Sequence, residues 1–119
     1  MPRLLIVDDS RLMRTIAARL VDGMGFIIEE AENGAEAVRL YAEHRPDAVL
    51  LDITMPEMDG LTALKEIRKI DPDARVAMVT AMGQQGIVME ALHAGARDFV
   101  LKPFQADRVL GALQKLLAA

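Results

Sequence analysis

The sequence predicts an α/β fold, a five-stranded parallel sheet with helices on both faces. Two observations carry this expectation. Apolar runs of strand length begin near residues 4, 26, 48, 76 and 98, and helix-length segments separate them. The clearest runs, Leu4-Leu5-Ile6-Val7 and Ala48-Val49-Leu50-Leu51, are continuous rather than alternating. Continuous runs suit strands buried on both faces, and strand–helix alternation with short turns makes the sheet parallel.

Each element has its own signals. The first strand stops at the charges of Asp8-Asp9, and Ser10 is placed to cap a helix carrying Leu12, Met13, Ile16, Ala17, Leu20 and Met24 inward. Gly25 is expected to end that helix, and Phe26-Ile27-Ile28 to open the second strand. Asn33-Gly34 turns into a helix with Ala37, Val38 and Tyr41 inward, which Pro46 stops. The third strand runs into Asp52, and residues 52–60, Asp-Ile-Thr-Met-Pro-Glu-Met-Asp-Gly, read as a loop. Leu61, Leu64, Ile67 and Ile70 mark the third helix, and Asp71-Pro72-Asp73 turns into the fourth strand, Val76-Ala77-Met78-Val79, which ends in Thr80. A fourth helix is expected from about Gln84 to Ala94, closed by Gly95. Phe99-Val100-Leu101 leads into Lys102-Pro103, and a last helix of about Ala106 to Leu117 packs through Val109, Leu110, Leu113 and Leu116.

Composition sets the bounds. A chain of 119 residues, 52% hydrophobic, is long enough to bury a core and too apolar for disorder; one domain over residues 1–119 is expected. A net charge of -4 argues against nucleic-acid binding as the main task, and zero cysteines exclude disulfides and thiolate metal sites. Met1-Pro2-Arg3 runs directly into the first strand, leaving no room for a signal peptide, and no apolar stretch nears the ~20 residues of a membrane span. A soluble, cytoplasmic protein without membrane insertion is expected.

The chemistry is carried by the strand ends. Parallel strands share one carboxyl rim, where open α/β sheets bind ligands. Asp8 and Asp9, Asp52, Thr80 and Lys102 all follow such strands. An acid pair after a strand is ordinarily a solvated turn, and a lysine at a strand end ordinarily reaches for water. Gathering all of them is a different matter. Two carboxylates ~4 Å apart repel by about 4 kcal/mol at an effective dielectric of 20. Three of them call for a cation, and an all-oxygen, carboxylate-rich site suits Mg²⁺.

Leu-Ile-Val-Asp-Asp-Ser, Asp-Ile-Thr-Met-Pro-Glu-Met-Asp-Gly, Thr-Ala and Asp-Phe-Val-Leu-Lys-Pro-Phe, in this order and spacing, resemble the response-regulator receiver domain over the whole chain. Thr80-Ala81-Met82-Gly83-Gln84-Gln85 and Lys102-Pro103-Phe104-Gln105 resemble its stand-alone chemotaxis regulators of the non-enteric type in particular. The resemblance implies a flavodoxin-like (βα)₅ fold with strand order 2-1-3-4-5. It makes Asp52 the phosphoacceptor and gives Mg²⁺ the ligands Asp9, Asp52 and the main-chain carbonyl of Thr54, with Asp8 acting through water. It gives Lys102 the transferring group, Thr80 the hydroxyl that follows the phosphoryl oxygen, a cis bond to Pro103, and Phe99 the place of an aromatic switch. Relatives often have tyrosine there; a phenylalanine must switch by packing alone. The implied partners are a histidine kinase as donor, the flagellar motor switch as output, and a possible phosphatase, with the protein itself a monomer. A receiver serving a phosphorelay or a non-flagellar partner uses the same site residues and is the alternative.

An enzyme of the haloacid dehalogenase type also pairs an aspartate nucleophile with Mg²⁺, but it needs an aspartate two positions later. Thr54 stands there, and no cap domain fits, so this is not expected to be a classical enzyme, although it would catalyse its own Mg²⁺-dependent phosphorylation and dephosphorylation. Most of the eight methionines read as core filler, with Met55, Met58 and Met82 in loops beside the site. His44 and His93 have no partnering motif. Gly86 and Gly111 fall inside expected helices; close packing is expected at Gly111, and local adjustability at Gly86.

Overall fold

The computed structural model describes residues 1–81 and 83–118. Met82, placed beside the site by its sequence position, lies outside the described residues. Five strands alternate with five helices: β1 (Arg3–Val7), α1 (Arg11–Leu20), β2 (Ile27–Ala31), α2 (Gly34–His44), β3 (Ala48–Asp52), α3 (Gly60–Ile70), β4 (Val76–Thr80), α4 (Gln85–His93), β5 (Asp98–Leu101) and α5 (Ala106–Ala118). The strands form one parallel sheet in the order β2-β1-β3-β4-β5, as the flavodoxin-like expectation has it.

Strand residues point alternately to the two faces. Leu5, Val7, Val49, Leu51, Val76 and Met78 pack against α2, α3 and α4 through Tyr41, Leu64, Ile67 and Val88. Leu4, Ile6, Leu50, Ala77, Val79 and Val100 pack against α1 and α5 through Ala17, Val21, Val109, Leu113 and Leu116. Side-chain caps start the first three helices, from Ser10 to Met13 N–H, Asn33 to Glu36 N–H and Asp59 to Thr62 N–H.

Four expectations need correction. α1 ends at Leu20 rather than reaching Gly25, because Gly23 already takes a left-handed φ of 95° and turns the chain out of the helix. Its stripe is also less buried than its spacing suggests: Leu12 is 68% exposed and Ile16 37%, whereas Ala17 is buried. Among the described methionines only Met55 and Met78 belong to the buried core, and Met89 is 53% exposed. Finally, a Cβ built on Gly111 meets nothing within 4 Å, so close packing does not account for that glycine. His44 reaches Glu29 of the neighbouring edge strand at 2.5 Å. No described helix is long and apolar enough to cross a membrane.

Register sets the rim. Val7 lies opposite Leu51, Asp52 opposite Val79, and Thr80 opposite Leu101. The residues at or just after these positions, Asp8, Asp52, Thr80 and Lys102, are therefore level with one another along four adjacent strands.

Candidate phosphoryl-transfer site

Asp52 ends β3 with only 4% of its surface exposed, and Asp8 follows β1 with the same exposure. Asp9 is exposed. Carboxylate oxygens of Asp8, Asp9 and Asp52 lie within 4.8 Å of one another. Lys102 enters the group from beyond β5, its Nζ 2.9 Å from Asp8 Oδ2 and 3.4 Å from Asp52 Oδ2. The lysine thus sits closer to Asp8 than to the expected phosphoacceptor. The Lys102–Pro103 bond is cis, as the resemblance implied.

Local structure presents each group. Ser10 N–H donates to Asp8 Oδ1 at 2.9 Å, and Arg14 Nη1 donates to the Asp8 carbonyl at 2.8 Å, tying the first acid to α1. The 52–60 loop folds back so closely that a Cβ on buried Gly60 would stand 2.0 Å from the Asp52 carbonyl oxygen. Only glycine fits that crossing. Thr54 N–H donates to Asp52 Oδ1 at 3.3 Å. Lys102 N–H donates to the Thr80 carbonyl at 2.7 Å, bringing the end of β5 against β4.

Electrostatics mark Asp52 out. Burial and, less strongly, the Asp8 carboxylate push its carboxyl up to about 6, against the opposing pull of Lys102. Burial acts to lower the Lys102 ammonium, but the bonds and charges of Asp8 and Asp52 outweigh it and the net shift is upward. Three carboxylates face one ammonium, so negative charge is in excess. The donor set is hard oxygen throughout. It fits a Mg²⁺ ion, which takes a few carboxylates and leaves positions for water and phosphate oxygens.

Of the expected site residues, Asp8, Asp9, Asp52 and Lys102 meet directly. Thr54 and Thr80 are joined through a residue that sequence reasoning did not assign, Gln84. Its Oε1 accepts from Thr80 Oγ1 at 2.7 Å, and its Nε2 donates to Thr54 Oγ1 at 2.6 Å. Phe99 stands apart from the acids, half-buried on β5 against the α4 side of the core. A second unassigned residue, Arg108, lies with its guanidinium carbon 5.7 Å from the centre of the Phe99 ring and donates to the Phe99 carbonyl at 2.6 Å.

Comparison with known proteins agrees with this geometry. A family model described as the response regulator receiver domain matches residues 4–114. The chemotaxis protein CheY of Bacillus subtilis is 59% identical over 116 residues, which are 97% of each chain. The crystal structure of the receiver domain of NtrX from Brucella abortus superposes with a TM-score of 0.93 at 31% identity, covering 98% of both chains. A CheX–CheY–BeF₃–Mg²⁺ complex from Borrelia burgdorferi matches with a TM-score of 0.90 at 39% identity, covering 96% of this chain and 87% of that one.

Proposed function

The chain belongs to the response-regulator receiver domain family, and we propose that it is a stand-alone chemotaxis regulator, one receiver domain over residues 1–119, that is switched by phosphorylation of Asp52. The observation that carries this reading is the buried Asp52 carboxyl at the end of β3, with two further acids and Lys102 around it. An aspartate is a competent nucleophile toward phosphorus. In the transfer, Asp52 Oδ attacks the phosphorus of a kinase phosphohistidine. The P–N bond breaks with its electron pair going to the imidazole, and an acyl phosphate remains on Asp52.

Positioning and charge do most of the work in such a transfer. Mg²⁺, held by Asp9, Asp52 and the Thr54 carbonyl with Asp8 acting through water, would supply positive charge at the phosphoryl oxygens. Lys102 is near enough to Asp52 to move its ammonium onto a phosphoryl oxygen, and Thr80 offers the hydroxyl that reads the modified state. Phe99, lacking a ring hydroxyl, reports by repacking toward α4.

Output is a contact made by the α4, β5 and α5 surface, with a histidine kinase as donor, a flagellar motor switch protein as target, and a phosphatase to end the signal. The 59% identity to a chemotaxis protein across 97% of that relative supports this assignment. The Borrelia complex, in which a CheY is bound together with CheX, supports a second protein partner. Such a protein works in the cytoplasm as a monomer and catalyses only its own phosphorylation and dephosphorylation. A receiver in a phosphorelay shares the site and differs only in its partner.

Incubation with a small acyl-phosphate donor and Mg²⁺, read by intact mass, tests the reading. Wild type gains one phosphoryl group; Asp52→Asn, and wild type in EDTA, gain none. A gain that persists in either sample would overturn the assignment. Titration of the motor switch protein and of relay proteins against the activated form separates the two partners.

A further inference from the structure

Gln84 precedes α4 at the position from which a side chain usually caps a helix, yet its side chain makes no such bond. Its amide is spent across the site mouth instead. Oε1 accepts from Thr80 Oγ1 at 2.7 Å and from Ala81 N–H at 2.8 Å, while Nε2 donates to Thr54 Oγ1 at 2.6 Å. One side chain thereby ties together the end of β4, the β3–α3 loop and the first turn of α4.

Thr80 is 1% exposed, and a hydroxyl has one proton to give. That proton goes to Gln84; the other acceptor in reach, the Ala81 carbonyl, is farther at 3.2 Å. A Thr80 that donates to a phosphoryl oxygen on Asp52 must therefore leave Gln84. Freed from Thr80, the amide keeps only Ala81 N–H and Thr54 Oγ1, and its hold on the start of α4 weakens. Two neighbours make that start easy to move: Gly83, at a φ of 90°, and Gly86, where a Cβ would meet nothing within 4 Å. The same groove contains Thr80, Gln84, Val88, Leu92 and Phe99, so movement there reaches the ring of Phe99.

We infer that Gln84 is a positioning residue for the resting state, a latch that holds Thr80 and the start of α4 until the Asp52 phosphoryl group accepts the Thr80 hydrogen bond in its place. The inference rests on the receiver reading given above. A latch that favours the resting state lowers the apparent affinity of anything that binds only the activated one, by the fraction activated.

The test is titration of Mg²⁺ and beryllofluoride, a phosphoryl mimic, followed by ¹⁹F NMR in wild type, Gln84→Met, Thr54→Val, Thr80→Val and the Gln84→Met/Thr80→Val pair. Gln84→Met keeps the chain length at a half-buried position and removes all three bonds. It should bind the mimic about threefold to tenfold more tightly than wild type, the range expected of one or two neutral hydrogen bonds. Thr54→Val should shift affinity the same way by less. In the Thr80→Val background the Gln84→Met effect should shrink to within about twofold, which a merely structural glutamine would not produce. Unchanged or weaker binding by Gln84→Met, beside a wild type that binds, overturns the latch and leaves the receiver reading standing. Failure of wild type to bind overturns both.

Discussion

Two aspartates at opposite ends of sheet strands are about equally buried, yet their carboxyls are shifted in opposite directions from the ordinary value. Asp52, 4% exposed at the end of β3, is pushed up to about 6. Asp98, 7% exposed at the start of β5, is held below the ordinary carboxylate value. Burial acts to raise both, and is the largest influence on each. At Asp98 it is overcome by the two-pronged bonds from Arg108, Nη2 to Oδ1 at 2.7 Å and Nη1 to Oδ2 at 3.1 Å, together with the Phe99 N–H. Asp52 has one long bond from the Thr54 N–H and a share of a lysine that is closer to Asp8, and it faces Asp8 as a like charge. A buried acid with its own cation braces the fold. A buried acid without one keeps an unmatched charge, the condition that the proposed metal and phosphoryl chemistry would relieve.

The largest expected effect comes from removing the unmatched charge. Asp52→Asn should stabilise the metal-free protein, by up to about 3 kcal/mol for a carboxyl moved from 3.8 to about 6. The sign follows from the raised folded value. Below the ordinary value both states are protonated and Asp52 costs nothing. The cost builds from about pH 4 to 6 and is complete above that, so the gain should be full at pH 7 and gone by pH 3.5. Denaturant unfolding in EDTA across this range measures it. A destabilised Asp52→Asn would mean that Asp52 is as well matched as Asp98.

The next effect should have the opposite sign. Arg108→Met leaves Asp98 buried without its cation, and about 1–3 kcal/mol of stability should be lost at pH 7. Wild-type Asp98 has a depressed value, so its contribution is present above the ordinary carboxylate value and fades as pH falls through the folded one. The deficit of Arg108→Met should therefore shrink in acid. A constant deficit across the range would assign it to the guanidinium packed over Phe99 rather than to the charge pair.

These two acids also divide what the sequence made legible from what it did not. Asp52 was readable because it ends an unbroken apolar run, and its partners end other runs; strand termini in a parallel sheet converge whatever lies between them. The strand order needed the family resemblance, since alternation alone leaves the order open. Asp98 and Arg108 were not assigned, because ten residues across a β–α turn carry no periodicity that would pair them. Gln84 entered only as the start of a helix and inside a subgroup motif, with no role at the site. Its bridge depends on loop conformation, which residue type does not specify. The length of α1 was misjudged because Gly23, ahead of Gly25, already breaks the helix, and the exposure of Leu12 shows an apolar residue that spacing alone places inward.

The smallest effect tests whether α5, which carries Arg108, is a brace separate from the chemistry. Gly111 lies one turn beyond Arg108, exposed, with nothing within 4 Å of an added Cβ. Alanine there meets no neighbour, lowers the freedom of the unfolded chain and favours the helix, so Gly111→Ala should stabilise by about 0.5–1 kcal/mol. If the brace and the site acid are independent, the rate at which Asp52 accepts a phosphoryl group from a small donor should match wild type, because among the described residues the two regions share no bonded partner. Parallel measurement of unfolding free energy and of phosphorylation rate decides it. A gain in stability with an altered rate would show that stiffening α5 reaches Asp52, and the contrast between a braced and an unmatched aspartate would become a coupling between them.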